Sequence, residues 1–251
     1  MKTSARNIVD AAVAAVLAVI LLCLLSCTKH NRRMDTCTGL DVQLLDEYRF
    51  VSPEDIERFL KHRYGDYIGQ RLDSIRLDRI EEVLESKSVV MESEAWTTDD
   101  GMLHVSIVQR APAVRFQRGE KGFYIDRTGY AFPLHSSYTA EVPLVEGCIP
   151  PIENGERADW TAGVLELADR LASSGQWKDR LASIKVNEGG EITLSMSERK
   201  ERFIIGQPVD IDAKFRKIDE YLTRILPEKG EGYYRTVNVK YNSQIICRKG
   251  I

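Results

Sequence analysis

An uncharged apolar stretch near the start of the chain, from Ala11 to Cys27, is the feature that most constrains what the rest can fold into. Crossing the hydrocarbon core of a bilayer takes about 20 residues of helix at about 1.5 Å per residue. The stretch reaches that length when the two residues before Asp10 are included, which places this carboxylate at one interface. A helix satisfies its own backbone hydrogen bonds in a medium that offers none. We therefore predict one membrane anchor at 11–28, with nearly all of the chain on one side of the membrane.

The charges that flank this stretch do not orient it. Lys2 and Arg6 precede it, and three basic residues follow it closely (Lys29, Arg32 and Arg33), so the positive-inside rule gives close to a tie. A tail of about ten residues is too short to be a domain. We therefore predict that residues 1–10 are a short cytoplasmic tail and 29–38 a linker, and that the remainder is periplasmic and held at the cell inner membrane.

The same residues also fit a lipoprotein signal, and the sequence leaves both interpretations open. The segment from Leu24 to Cys27 is similar to a lipobox, after which Cys27 would carry lipid and the preceding helix would be removed. Leu24 fits that pattern, whereas Leu25 and Asp10 fit it poorly. The uncleaved anchor is the interpretation that we favour. In either case the protein is held at a membrane.

Charge and length exclude one class of partner and limit the number of domains. The formal net charge is −3 and the isoelectric point is about 5.9, so the chain lacks the basic surface that nonspecific nucleic-acid binding requires. We exclude DNA and RNA as partners. The residues after the anchor are enough for one large or two small domains, each with an adequate core.

The five cysteines are an odd count. Cys23 and Cys27 lie within the predicted anchor, and the other three match neither a CxxC pair nor a zinc pattern (Cys37, Cys148 and Cys247). A disulfide among these three fits an oxidising compartment, but the sequence does not choose the pair. We favour unpaired, partly buried thiols.

The first elements after the linker follow the order strand, helix, helix. An alternating run from Leu40 to Leu44 predicts the strand. Ser52 as N-cap, Pro53 at the first helical position and Asp55 as the capping-box acid predict the start of the first helix. The second helix has apolar residues at helical spacing and glutamates on its outer face, and it fades at Ser86.

A β-hairpin closes this first unit. Two extended runs, from Val89 to Trp96 and from Met102 to Arg110, are joined through Asp99-Asp100-Gly101. Asp-Gly between alternating runs is a strong hairpin signal, because glycine accepts the positive φ of the turn. Pro112 cannot donate to a ladder, so we expect the last strand to end near Arg110 and a second unit to begin.

The region after Pro112 has the pattern of a mixed, β-rich domain with two helices. The first helix starts near Asp159 and stops at Gly175, and the second runs from Ile211 to Leu226 and ends before Pro227. The strands are predicted at 114–116, 123–125, 131–134, 184–186, 192–196, 203–205, 236–241 and 244–248, with the last two turning at Asn242-Ser243. The sequence therefore predicts an α+β protein with a single N-terminal transmembrane helix, a βααββ unit and this β-rich domain.

No catalytic or cofactor-binding pattern occurs in the sequence. HExxH, GxSxG and P-loop motifs are missing, and the four histidines are scattered (His30, His62, His104 and His135). The segment from Ser26 to Lys29 matches SxxK, which we interpret as accidental. We predict that the protein is not an enzyme and holds no cofactor and no metal. Exposed strand edges instead favour a binding protein, because a partner segment can satisfy an edge strand by adding a strand to it.

Several segments, in their order and spacing, resemble one family of cell-division proteins. They are Phe50–Ile56, Ile80–Glu85, Asp100–Val105, Gln109–Pro112, Tyr124–Gly129, Phe132–Leu134, Val142–Gly147, Val237–Tyr241 and Gln244–Ile246. The strand-helix-helix-strand-strand unit is similar to a POTRA domain, and residues 40–248 together resemble the FtsQ/DivIB family of the bacterial divisome. The resemblance implies a POTRA domain at 39–111 and an FtsQ-type β domain at 112–251.

The resemblance also implies a function, that of a single-pass scaffold linking early and late division proteins at the division septum. The implied partners are FtsB-like and FtsL-like proteins, bound through the terminal strand region, and other divisome proteins that contact the POTRA domain. Carried over residue by residue, the partner surface falls on Lys240, Tyr241, Asn242, Ser243 and Gln244. Tyr241 is the best single candidate, since tyrosine offers apolar area and a hydroxyl at low entropic cost. A core or rim position in the final strand is the other role open to it.

Two other classes of protein are weighed against this one. A membrane-anchored or lipidated POTRA-type periplasmic chaperone or assembly factor would couple to a lipid-facing barrel, and the region after Pro112 lacks the repeated strands of about ten residues that such a barrel needs. A membrane-tethered hydrolase would need a nucleophile or metal constellation that the sequence does not contain.

Overall fold

The structure is a computed structural model that describes residues 16–23, 36–136, 138–152, 159–177 and 180–250. Residues 16–23 are helical and their side chains are exposed. Within the described ranges, no helix has both the length and the apolar character needed to cross a membrane. Most of the predicted anchor at 11–28, the tail at 1–10 and Cys27 lie outside the described residues.

The chain divides between Gln109 and Arg110 into two compact units. The first unit contains β1 (Gly39–Leu44), α1 (Pro53–Arg63), α2 (Leu77–Glu85), β2 (Val90–Thr97) and β3 (Met102–Gln109). Strand β3 is central in a three-stranded sheet, where it pairs parallel with β1 and antiparallel with β2. The predicted order strand, helix, helix, strand, strand is confirmed.

Helix α1 begins at the predicted capping box. The Ser52 hydroxyl accepts a hydrogen bond from the Asp55 N–H at 3.2 Å, and the Asp55 carboxylate accepts one from the Ser52 N–H at 3.1 Å. The second of these bonds lowers the pKa of Asp55. Ile56 and Leu60 follow on the inner face of α1 and are fully buried. The local signal therefore sets both where the helix starts and which face it buries.

Gln109, at the end of β3, begins the segment Gln109–Pro112 that resembles the family, and its contacts show a structural role. Its side chain is buried, and its amide nitrogen donates to Asp46 Oδ1 at 2.8 Å and to the Tyr48 carbonyl at 2.7 Å. Its amide oxygen accepts from the N–H groups of Phe50 and Val51 at 3.0 and 3.2 Å. A buried amide with every polar atom paired holds the β1–α1 connection against the end of β3.

The second unit contains a nine-stranded mixed sheet. Its strands are β4 (Pro112–Arg118), β5 (Lys121–Asp126), β6 (Ala131–Pro133), β7 (Leu144–Gly147), β8 (Leu181–Val186), β9 (Ile192–Met196), β10 (Arg202–Gly206), β11 (Thr236–Asn238) and β12 (Ile246–Arg248). Their order in the sheet is β12-β11-β10-β9-β8-β7-β4-β5-β6. The pairs β4–β7, β7–β8 and β10–β11 are parallel, and the others are antiparallel. The prediction of a mixed β-rich domain is confirmed.

Helices α3 (Asp159–Ser173) and α4 (Ile211–Glu220) contribute their apolar faces to the core of this unit. Trp177 lies in the same core, with its ring centroid 5.5 Å from that of Phe203 on β10 and 5.8 Å from that of Phe215 on α4. All three side chains are almost completely buried. Packing of these buried aromatic rings therefore holds β10 against α4.

The second long helix does not end before Pro227, so that prediction was wrong. Helix α4 continues through a π-helical turn (Tyr221–Ile225) into α5 (Leu226–Lys229). In this turn the Leu226 N–H donates to the Tyr221 carbonyl, and Pro227 lies in the first turn of α5. Pro227 has no N–H to donate, and the wider π-helical turn before it makes room for the proline ring within the continuing helix.

The strand boundaries also differ from the prediction in two places. The sequence does not predict β7, which lies inside the sheet between β4 and β8 and carries only four residues. The final strands are shorter than the predicted 236–241 and 244–248. The Asn238 side chain accepts a hydrogen bond from the Lys240 N–H at 3.1 Å, and this local bond turns the chain away from β11.

Candidate partner-binding site

The predicted partner surface lies in the connection between β11 and β12, at one end of the large sheet. Strand β11 pairs parallel with β10 and antiparallel with β12, and β12 is the edge strand. An edge strand has a neighbour on one side only, so the N–H and C=O groups of its other side point away from the ladder. The geometry at this edge is therefore suited to the addition of a strand from a partner.

The five predicted site residues form one continuous surface segment (Lys240, Tyr241, Asn242, Ser243 and Gln244). Tyr241 is 43% exposed, the next three residues are exposed, and Lys240 is half-buried. An exposed tyrosine flanked by small polar side chains is typical of protein recognition surfaces. This exposure excludes a core position for Tyr241 and is compatible with a rim position in the final strand.

Lys240 is held by an ion pair that the sequence did not reveal. Its Nζ atom lies 3.0 Å from Glu191 Oε1 at the start of β9, and 5.3 Å from the centre of the Tyr241 ring. The hydrogen bond between Lys240 and Glu191 raises the pKa of the lysine and lowers the pKa of the carboxylate. Both groups are charged near neutral pH, and the ammonium group lies over one face of the Tyr241 ring.

Lys217 of α4 holds the segment from the other side. Its Nζ atom donates to the Val239 carbonyl at 2.6 Å and also to the Tyr241 carbonyl. The Val239 N–H donates to the Ile204 carbonyl of β10 at 3.0 Å. Burial lowers the pKa of Lys217. The Lys217 side chain thus holds the main chain at Val239 and Tyr241 against α4, and the Val239 N–H holds it against the sheet, before any partner binds.

Gly206 makes the close approach of this segment possible. It ends β10 at a register irregularity opposite β9, with φ at +76°. A Cβ atom at this position would lie 2.7 Å from the Cβ atom of Lys240. Sequence reasoning missed Gly206, Lys217 and Glu191; a glycine directly after an alternating run is a bulge signal that was available for the first of them.

His104 lies in β3 of the first unit, far along the sequence from this segment. Its Nδ1 atom is 3.1 Å from Asp41 Oδ2, and its Nε2 atom is 3.0 Å from Thr98 Oγ1. The ring stacks on Trp96 with centroids 5.3 Å apart. Hydrogen bonds from Gln43 and from His104 lower the pKa of Asp41. These contacts are those of a packed strand residue.

The remaining candidate ligands are dispersed. Among the described residues no group of three or more His, Cys, Asp or Glu side chains is arranged to hold a metal ion. Four described cysteines are free thiols: Cys23, Cys37, Cys148 and Cys247. Cys37 is buried and Cys148 is exposed, and burial raises the pKa of Cys247. The thiols therefore differ in accessibility, and none is paired in the structure.

Comparison with known proteins identifies both units. Residues 35–108 match the model of a POTRA-like domain, and residues 111–248 match the model described as FtsQ/DivIB, C-terminal related. A similar curated protein is the cell division protein FtsQ of Salinibacter ruber, which is 23% identical over 157 residues. That alignment covers 59% of this chain and 60% of the relative, so the chain spans about 60% of the length of the curated protein it matches. The resemblance found in the sequence is confirmed. Because the second model covers more than half of the 251 residues, the chain belongs to the FtsQ/DivIB-related family of cell-division proteins.

Proposed function

We propose that this protein is a non-enzymatic, single-pass scaffold of the division machinery that binds FtsB-like and FtsL-like partners through its C-terminal strand region, with residues 240–244 as the partner surface. In this proposal residues 1–10 are cytoplasmic, 11–28 cross the inner membrane and 29–38 are a linker. The POTRA domain at 39–111 and the β domain at 112–251 are then periplasmic and act at the division septum. Family membership supports a role in cell division, and the geometry of the site supports binding by strand addition.

The observation that carries the proposal is the combination of a sheet edge and a braced, exposed segment beside it. Strand β12 has one neighbour among the described strands, and Tyr241 is exposed while its main-chain carbonyl is held by Lys217. A segment that is already ordered loses less conformational entropy on binding. The added strand supplies main-chain hydrogen bonds, and Tyr241 supplies an anchor that selects the partner.

A membrane anchor would contribute by confinement. Two partners held in one membrane meet at a higher effective concentration than the same domains in solution. A short edge strand and a single aromatic anchor then suffice for a stable complex. Binding by the isolated periplasmic domains is therefore expected to be weaker than binding by the anchored proteins.

Replacement of the anchor residue tests the site. We expect Tyr241→Ala to weaken capture of the FtsB-like partner by about 30-fold, because truncation of an interface hot spot costs about 2 kcal/mol or more. Tyr233→Ala is the matched control, since Tyr233 is 40% exposed and also lies under a lysine, Lys249, but is outside the 240–244 segment. Unchanged capture by Tyr241→Ala, or equal loss in both variants, contradicts the assignment of the surface.

The cellular role is tested separately. A fluorescent fusion of the full chain is expected to form bands at the septum, and depletion is expected to give filamentous cells that still replicate DNA. A signal around the whole outer membrane would instead support the POTRA-type assembly factor. Cells that divide normally after depletion would contradict the proposal.

A further inference from the structure

The sheet of the first unit has an edge strand whose backbone is covered by its own helix. Among the strands that the structure describes, β2 pairs only with β3, so one side of β2 faces away from the ladder. On that strand the Ala95 N–H donates to Glu81 Oε1 at 2.9 Å, and the Ser93 N–H donates to Glu85 Oε1 at 3.2 Å. Both glutamates belong to α2.

These two N–H groups belong to the open side of β2. Residues Ser93 and Ala95 are opposite Ile107 and Val105 of β3, and in an antiparallel pair the N–H groups of alternate residues point away from the partner strand. An N–H that donates to a helix side chain is not donating to β3. The glutamates therefore occupy donors that an added strand would need.

The spacing of residues along α2 matches the spacing of residues along β2. Residues four apart in a helix lie about 6 Å apart along its axis, and residues two apart in a strand lie about 6.6 Å apart. Glu81 and Glu85 can therefore each reach one of two alternate residues of β2, Glu81 at Ala95 and Glu85 at Ser93. Ser93 and Ala95 have small, buried side chains, and the Ser93 hydroxyl donates to the Glu81 carbonyl at 3.3 Å. The small side chains let the helix approach closely enough for its carboxylates to reach the strand.

We propose that Glu81 and Glu85 close the β2 edge against strand addition, and that the strand they exclude is β2 of a second copy of this chain. Two identical eight-residue edges are self-complementary, since they can pair antiparallel about a two-fold axis. A carboxylate accepts hydrogen bonds only, so it satisfies the strand donors without offering a donor to a competing strand. The inference concerns the first unit alone and holds whether or not residues 240–244 bind a partner.

Hydrogen exchange of single amides tests this closure in the full chain kept in detergent solution. At low protein concentration, we expect Glu85→Ala to speed exchange of the Ser93 amide at least tenfold and to leave Ala95 unchanged. Glu81→Ala should do the reverse. Glu81→Gln and Glu85→Gln are the matched controls, because each retains an acceptor oxygen and loses the same charge. Amides of the central strand β3 report that each variant is folded.

Sedimentation of the double variants tests the consequence. We expect the double alanine variant to self-associate as its concentration rises, whereas the wild-type chain and the double glutamine variant do not. The proposal would be overturned if the Ser93 and Ala95 amides exchanged no faster in the single alanine variants than in the wild type. A double alanine variant that associates no more than the wild type would also overturn it.

Discussion

Replacement of Gly206 by alanine is the sharpest test of how the partner segment is held in place. The substitution adds one methyl group, which has two consequences in the structure. It places a side chain on a residue with φ at +76°, and it brings the new Cβ atom to 2.7 Å from the Cβ atom of Lys240. Neither consequence changes Tyr241 itself, although a displaced Lys240 also moves the ammonium group that lies over the Tyr241 ring.

The two consequences have separate costs. A non-glycine residue in left-handed backbone costs about 1–2 kcal/mol. Carbon atoms prefer separations of about 3.5–4.0 Å, so Lys240 has to move, and overpacking of this kind costs about 1–3 kcal/mol. We therefore expect Gly206→Ala to lower the free energy of unfolding by about 2–5 kcal/mol in total. The displacement of Lys240 should also weaken partner capture.

Gly119→Ala is the control that separates the two costs. Gly119 also has a positive φ, +58°, but a Cβ atom there would meet nothing within 4 Å. Gly119→Ala should therefore lower the free energy of unfolding only by the backbone contribution, about 1–2 kcal/mol. With urea slopes of about 1–3 kcal/mol/M, the unfolding midpoint of Gly206→Ala should lie roughly 1 M below that of the control. Equal midpoints, with partner capture unchanged, would refute the role of the close contact.

Three further predictions follow from the described contacts and from the proposed anchor. Ser52→Ala removes the N-cap of α1 and should lower the free energy of unfolding of the first unit by about 1 kcal/mol, measured by urea denaturation. Glu191 has its pKa held below the ordinary 4.5 by Lys240, so its contribution to stability is present above pH 4.5 and is lost as the pH falls through the lowered value. Lys240→Met should therefore flatten the acid dependence of the urea midpoint; a wild-type dependence in the variant would contradict this. The intact mass of the membrane-extracted protein should be that of the uncleaved chain, whereas a mass beginning at a lipidated Cys27 would identify a lipoprotein.

Local signals in the sequence were sufficient to locate most helices and strands, but not their pairing. Ser52 and Gly101 act within a few residues, and the structure has the helix start and the hairpin where these signals predict them. The parallel pairs of β4 with β7 and of β10 with β11 depend on contacts between distant segments. Pro227 misled the prediction because the π-helical turn that accommodates it has no clear sequence signal.

The candidate site was predicted only in part, for the same reason. The exposed residues from Lys240 to Gln244 are contiguous, so a resemblance in that segment is enough to find them. Their supports come from other elements: Lys217 is 24 residues before Tyr241, and Glu191 is 49 residues before Lys240. Only the folded sheet and helix α4 bring these groups together. The sequence was therefore enough to predict the exposed residues, whereas the contacts that hold them in place could be found only in the structure.

The terminal strand pair has only three residues in each strand, and this brevity has a consequence for how binding is reported. Such a pair is marginal when isolated and depends on its attachment to β10. It is therefore expected to detach locally at a lower free energy than the rest of the nine-stranded sheet. A partner that adds a strand beside β12 turns it from an outer into an inner strand. Occupancy would then appear as a selective loss of protease sensitivity between residues 239 and 245, even in a cell extract.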